Sequence, residues 1–178
     1  MKRILAIALC LVMALALVAC GGAKEAEYKL GMGVVVSMGS SKTGNAQVDA
    51  TVATVVTDAD GKIVACRIDV AQNKMTVTDG AVELDKTFKT KMELGDDYNM
   101  AKFGAPNVEG GTVKEWYVQS AAFSNYVVGK TATEIAGMQT KEVNNHQIST
   151  EQALLDAGCT MQITGICAVV ALSATNAR

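Results

Sequence analysis

Val48-Asp49-Ala50-Thr51-Val52-Ala53-Thr54-Val55-Val56-Thr57-Asp58-Ala59-Asp60-Gly61-Lys62-Ile63-Val64-Ala65-Cys66-Arg67-Ile68-Asp69-Val70 decides the fold. Val48, Ala50, Val52 and Val56 share one parity, against Asp49, Thr51 and Ala53 on the other. That two-residue period marks a half-buried strand. Val64, Cys66, Ile68 and Val70 then alternate against Ile63, Ala65, Arg67 and Asp69. Asp60-Gly61 between the two runs predicts a hairpin, because Gly accepts the positive φ of the turn.

Gly31 to Met38 reads as an earlier strand, and Gly39–Asn45 as a loop rich in Gly, Ser and Asn. Lys74 to Thr78 adds a short strand closed by Asp79-Gly80. Beyond it the pattern turns helical. Phe88 to Phe103 holds short helical turns around Gly95. Thr112-Val113-Lys114-Glu115 fits a capping box ahead of a helix that ends at Gly129 and carries Trp116, Phe123 and Val127 on one stripe. Thr131 to Glu134 repeats the capping pattern for a helix stopped at Gly137, and Thr150 caps another over Glu151–Leu155. The last helix sets Ile166, Val169, Val170 and Ser173 on one side. Strands first and helices later predict an α+β domain, an antiparallel sheet with the C-terminal helices packed on it.

The chain begins differently. Lys2 and Arg3 precede sixteen uncharged residues (Ile4–Ala19), too few for the ~20 of a membrane span. Small residues follow, so 1–19 reads as a cleaved signal peptide. Leu17-Val18-Ala19-Cys20 resembles the lipobox of bacterial lipoproteins. The resemblance implies that the Cys20 thiol carries a diacylglyceryl group and that Cys20 is the mature N-terminus. The protein would then be exported and anchored to the outer face of the cell membrane, or to an outer membrane. Residues 20–27 would form the lipidated Cys and a flexible tether, and 28–178 a single domain.

Removing 1–19 takes away two basic residues and no acid, leaving 14 basic against 18 acidic residues, a net charge of −4. Nucleic acid is not an expected partner, because such proteins need basic clusters to displace phosphate counterions. Cys66, Cys159 and Cys167 cannot all pair within one chain. They read as small buried hydrophobes, with a Cys159–Cys167 bridge as the alternative. No Cys-x-x-Cys occurs.

Catalytic constellations are scarce. His146, the only histidine, lies in the polar segment Asn144–Gln147 without metal-ligating neighbours. Asp96-Asp97 reads as a solvated turn. Gly129-Lys130-Thr131 matches the tail of a phosphate loop but has Ser124 where the motif requires its first Gly. Trp116-Tyr117 offers aromatic faces for a ligand, although Trp116 also fits the core stripe. No catalytic residue and no metal site is predicted.

Val55–Ile68, with its Asp-Gly-Lys-Ile turn, resembles the hairpin of extracytoplasmic FMN-binding domains. Gly31-Met32-Gly33 is similar to their Gly-rich opening strand. Ala157-Gly158-Cys159-Thr160-Met161-Gln162 stands where they carry Ser-Gly-Ala-Thr-x-Thr before a final helix. In the covalently flavinylated members the last Thr of that motif holds the FMN phosphate. Gln162 replaces it here, so the resemblance implies noncovalent FMN, held by Gly158 and Thr160 backbone groups. Lys91–Tyr98 and Val127–Glu134 are also similar to stretches of small lipoproteins from anaerobic bacteria with no assigned activity. The expected function is a membrane-anchored binding or accessory module, with electron transfer if FMN binds. The alternative is a lipoprotein that binds a different small ligand or an envelope protein.

Overall fold

The expected hairpin turns on Asp58. In the computed structural model, which describes residues 27–84, 88–109 and 111–178, its carboxylate accepts the Asp60 and Lys62 N–H groups at 3.0 and 2.9 Å. Gly61 donates back to the Asp58 carbonyl and adopts a φ of 76°, the left-handed region that glycine enters without steric cost. The expected signal peptide, Cys20 and the tether up to Ala26 lie outside the described residues.

Around that turn runs a four-stranded antiparallel sheet, β1 (Lys29–Ser37), β2 (Asn45–Thr57), β3 (Ile63–Thr78) and β4 (Ala81–Leu84), in chain order. The short strand expected over Lys74–Thr78 is the end of the long β3, and Asp79-Gly80 turns it into β4 with φ values of 50° and 79°. Helices follow: α1 (Lys91–Leu94), a 3-10 turn (Gly95–Tyr98), α2 (Met100–Phe103), α3 (Trp116–Tyr126), α4 (Ala132–Ala136), α5 (Gln152–Asp156) and α6 (Thr164–Thr175). The protein is α+β, with the four-stranded sheet in the N-terminal half and a separate two-stranded hairpin among the C-terminal helices.

One face of the sheet carries the core. α6 lies across β1 and β2 and buries Ile166, Val169, Val170 and Ser173, the side expected for it. It sits so close that a Cβ at Gly31 would overlap the Ser173 carbonyl oxygen. A Cβ at Gly33 would stand 2.8 Å from both the Val169 carbonyl and the Ser173 hydroxyl. Gly31-Met32-Gly33 is therefore the seat of the final helix. Ser173 Oγ lies 2.9 Å from the Ala53 carbonyl and 2.7 Å from that of Val169, tying helix to sheet. The C-terminal Arg178 exchanges two backbone hydrogen bonds with Leu30 on the edge strand.

The covered face is the other parity from the valine-rich one. Ala53, Val55 and Thr57 are buried, while Val48, Ala50, Val52 and Val56 are half-buried. β3 changes parity at Val64, where a bulge leaves Thr57 opposite Ile63 but Val56 opposite Ala65. The extra residue puts Ile63 on the same face as Ile68 and Val70.

α3 packs on β3, where its Ser120 hydroxyl donates to the Ile68 carbonyl at 3.4 Å, and Phe123 and the Val127 that follows the helix are fully buried. The link to α4 is clipped to the sheet, because the Gly129 N–H donates to the Ile63 carbonyl and the Ile63 N–H to that of Lys130. Thr131 and Glu134 form the expected capping box. Thr112 does not cap α3. Glu115 instead turns its carboxylate to the Met100 and Ala101 N–H groups at the start of α2, and the second box is Thr90 with Glu93. At α5, Ser149 rather than Thr150 accepts the Glu151 N–H. Asn144-Asn145, read as part of a loop, is a two-residue turn at φ 50° and 62° joining β5 (Thr140–Val143) to β6 (His146–Ser149).

Candidate functional site

Gly158 and Thr160 stand close to α3. The Gly158 N–H donates to the Leu155 carbonyl at 2.8 Å, and Gly158 has a φ of 86° with the Lys114 side chain over it. The Thr160 N–H donates to Gln119 Oε1 at 2.9 Å, and its carbonyl accepts Asn107 Nδ2 at the same distance. Of the backbone groups that the resemblance gave to FMN, both N–H groups and the Thr160 carbonyl thus have partners inside the protein. Gln119, fully buried on α3, completes the knot by donating to the Lys114 carbonyl at 2.7 Å. Its place at the i+3 position from Trp116 on an otherwise apolar stripe was the only signal in the sequence.

An opening lies further along the chain, where Gln162 leads into α6. A cleft of about 270 Å³ is lined by Asp49 and Thr51 of β2, Lys91, Trp116, Gln162 and the Gly165-Ile166 start of α6, with Ser37, Ser40 and Val70 completing it. No side chain caps α6. Its first N–H groups have no acceptor within the helix and carry the positive end of its dipole. Lys91 Nζ adds a charge, 4.8 Å above the Tyr98 ring and 5.6 Å from that of Trp116, close enough for attraction to both ring faces.

Asp49 brings the opposite requirement. Its Oδ2 accepts Gln47 Nε2 at 2.7 Å, whereas Oδ1 is buried with no hydrogen-bond partner. Such an oxygen is costly to hide from water unless a donor reaches it. On the other side of Lys91 a second hollow of about 250 Å³ is lined by Lys74, Lys89, Lys91, Tyr98 and Asp97 among others. The cleft therefore combines an anion-favouring helix start, a lysine, a largely buried indole and a carboxylate oxygen in need of a donor. It lies slightly below the ~300–1,000 Å³ usual for ligand pockets, so it suits a small ligand or one end of a larger one.

The other residues marked by the sequence stay apart from this cleft. His146 is exposed, its Nδ1 2.8 Å from the Asn144 carbonyl. Asp96 accepts the Tyr117 hydroxyl at 3.1 Å, which raises the Tyr117 pKa. Gly129-Lys130 follows a helix rather than a strand, and Lys130 lies over the Tyr126 ring. Cys66, Cys159 and Cys167 are all free thiols, and burial pushes them up to about 11, 12 and 11. Among the described residues no group of His, Cys, Asp or Glu is arranged to hold a metal ion, and no helix is long and apolar enough to cross a membrane. No family model matches the chain, and neither a curated protein nor a solved structure matches it.

Proposed function

We propose that this chain is a lipid-anchored extracytoplasmic binding module that holds a small ligand in the cleft at the start of α6. The ligand would carry an anionic group, a carboxylate or phosphate, toward the α6 N-terminus and Lys91. It would also carry an N–H donor toward Asp49. The observation that carries this reading is that Asp49, whose buried Oδ1 has no hydrogen-bond partner, lines the same cleft as an uncapped helix start and Lys91. A helix N-terminus favours anions through its free N–H groups and its dipole.

FMN is one member of that ligand class, since it has a phosphate, a planar ring and a ring N–H. A bound flavin would supply electron transfer. The internal bonding of Gly158 and Thr160 speaks against the seat that the resemblance implied, and favours the reading as a module for a small non-flavin ligand. Gln162 borders the cleft but has no hydroxyl for a phosphoester.

Trp116 is the only tryptophan and lines the cleft, so its emission reports on occupancy. Full-length protein in detergent would be titrated with inorganic phosphate, FMN and a set of free amino acids. At least one of these is expected to change the emission saturably. Lys91→Ala and Asp49→Asn should each weaken that response by about tenfold, equivalent to ~1.4 kcal/mol. If no probe titrates Trp116, or both variants respond like the wild type, the cleft is not the binding site.

A further inference from the structure

The second face of the sheet is apolar and nothing described lies on it. Leu30, Met32, Val34 and Val36 of β1 stand opposite Val56, Thr54, Val52 and Ala50 of β2, and directly paired residues share a face. The face continues across β3 at Ala71, Asn73, Met75 and Val77, and ends on Leu84 and Val82 of β4. α6 and α3 occupy the opposite side. The four β1 residues together with Val77, Val82 and Leu84 are between 43% and 63% exposed. Together they present on the order of 700 Å², more than the largest apolar patch of a typical monomer, at ~300–600 Å².

We infer that this outer sheet face is a homodimer interface, covered by the same face of a second copy of the chain. Two observations select a second copy. The exposed area approaches the ~800 Å² that each partner buries in a standard interface. The face is also nearly free of charge. Arg67 and Asp69 alone share its parity, and Asp69 Oδ1 bends away to accept the Met92 N–H. A neutral apolar face can meet its own image about a twofold axis with no like charges brought together. A face of Val, Leu and Met suits face-to-face packing of two sheets at about 10 Å. It also accounts for the valine alternation of β2, which marks for burial the side that this chain leaves open. The inference is independent of the ligand cleft, which opens on the other side of β2 at Asp49 and Thr51.

The test is the native mass of the full-length protein in detergent micelles at micromolar concentration, with wild type and Val34→Glu compared. Val34 is 46% exposed, so the substitution should leave the melting temperature of the monomer unchanged. The wild type is expected to have twice the chain mass, and Val34→Glu to weaken the association by at least about tenfold, because two carboxylates would be buried unpaired. As a second readout, Val34→Cys or Val52→Cys should form an inter-chain disulfide under mild oxidation. Thr133→Cys, exposed on α4, should not. A wild type that is monomeric at every concentration would overturn the inference. So would a dimer indifferent to Val34→Glu, or cross-linking at Thr133 in place of both sheet positions.

Discussion

Replacing Gly31 by alanine adds a single methyl group at the point where the sheet touches its covering helix. That methyl would overlap the Ser173 carbonyl oxygen and stand 3.0 Å from the Ala177 N–H nitrogen. Both are backbone atoms, so no side-chain rotation relieves the contact. α6 must lift from β1, and it takes with it Val169, Val170 and Ser173, all fully buried. Over-packing a close-packed core costs about 1–3 kcal/mol. Alanine recovers roughly 0.5–1 kcal/mol of the entropy that glycine loses in a strand, which does not offset a backbone collision. The expected net loss is about 1 kcal/mol. For a domain of this length that lowers the melting temperature by ~2–4 °C, at ~2–4 °C per kcal/mol. Thermal unfolding followed by circular dichroism measures it, with Gly61→Ala as comparator. There a Cβ meets nothing within 4 Å, and only the positive φ is strained, at about 1–2 kcal/mol. A Gly31→Ala variant that melts with the wild type would show that α6 does not sit on the glycines of β1.

Gln119→Ala leaves the Thr160 N–H and the Lys114 carbonyl without their partner, and is expected to cost about 2–4 kcal/mol in chemical denaturation; a loss under ~0.5 kcal/mol would mean that the knot is solvated. Cys20→Ser should abolish lipid attachment, so the variant should leave the detergent phase in partitioning while the wild type stays in it; equal partitioning contradicts the anchor. The three thiols should resist alkylation at pH 8 in the folded protein and react once it is unfolded. Their folded pKa values of about 11, 12 and 11 lie above the ordinary value of 9.0. The stability they contribute is thus fully present below about pH 9 and is lost as pH rises toward 11. Cys167→Ala should flatten the fall in melting temperature over that window, and an identical slope would refute the assignment.

The hairpin was legible because its causes are local. Asp58 and Gly61 make the turn from a carboxylate and a positive φ, both visible within five residues. The choice of buried face was not legible, because β2 carries apolar residues on both parities and the decision rests with α6, docked on Gly31 and Gly33 more than a hundred residues away. The bulge at Val64 leaves no mark in the pattern. Thr112 and Glu115 had the right spacing for a cap, yet Glu115 serves a different helix brought beside it by the tertiary fold. The Asn144-Asn145 turn was hidden in a polar segment that also reads as plain loop. The site followed the same logic. Gly158 and Thr160 stood out by motif, but their bonding depends on Gln119, some forty residues earlier. The cleft draws Asp49, Lys91, Trp116 and Gln162 from four separate stretches, and no spacing in the sequence could announce it.

The claim that a ligand sits against Asp49 and Lys91 is tested most directly by native mass spectrometry of the protein isolated gently from the cells that make it. A noncovalent small-molecule adduct is expected, and it should disappear in the Asp49→Asn, Lys91→Ala double variant. An adduct-free wild type, or an adduct that the double variant retains, would contradict it.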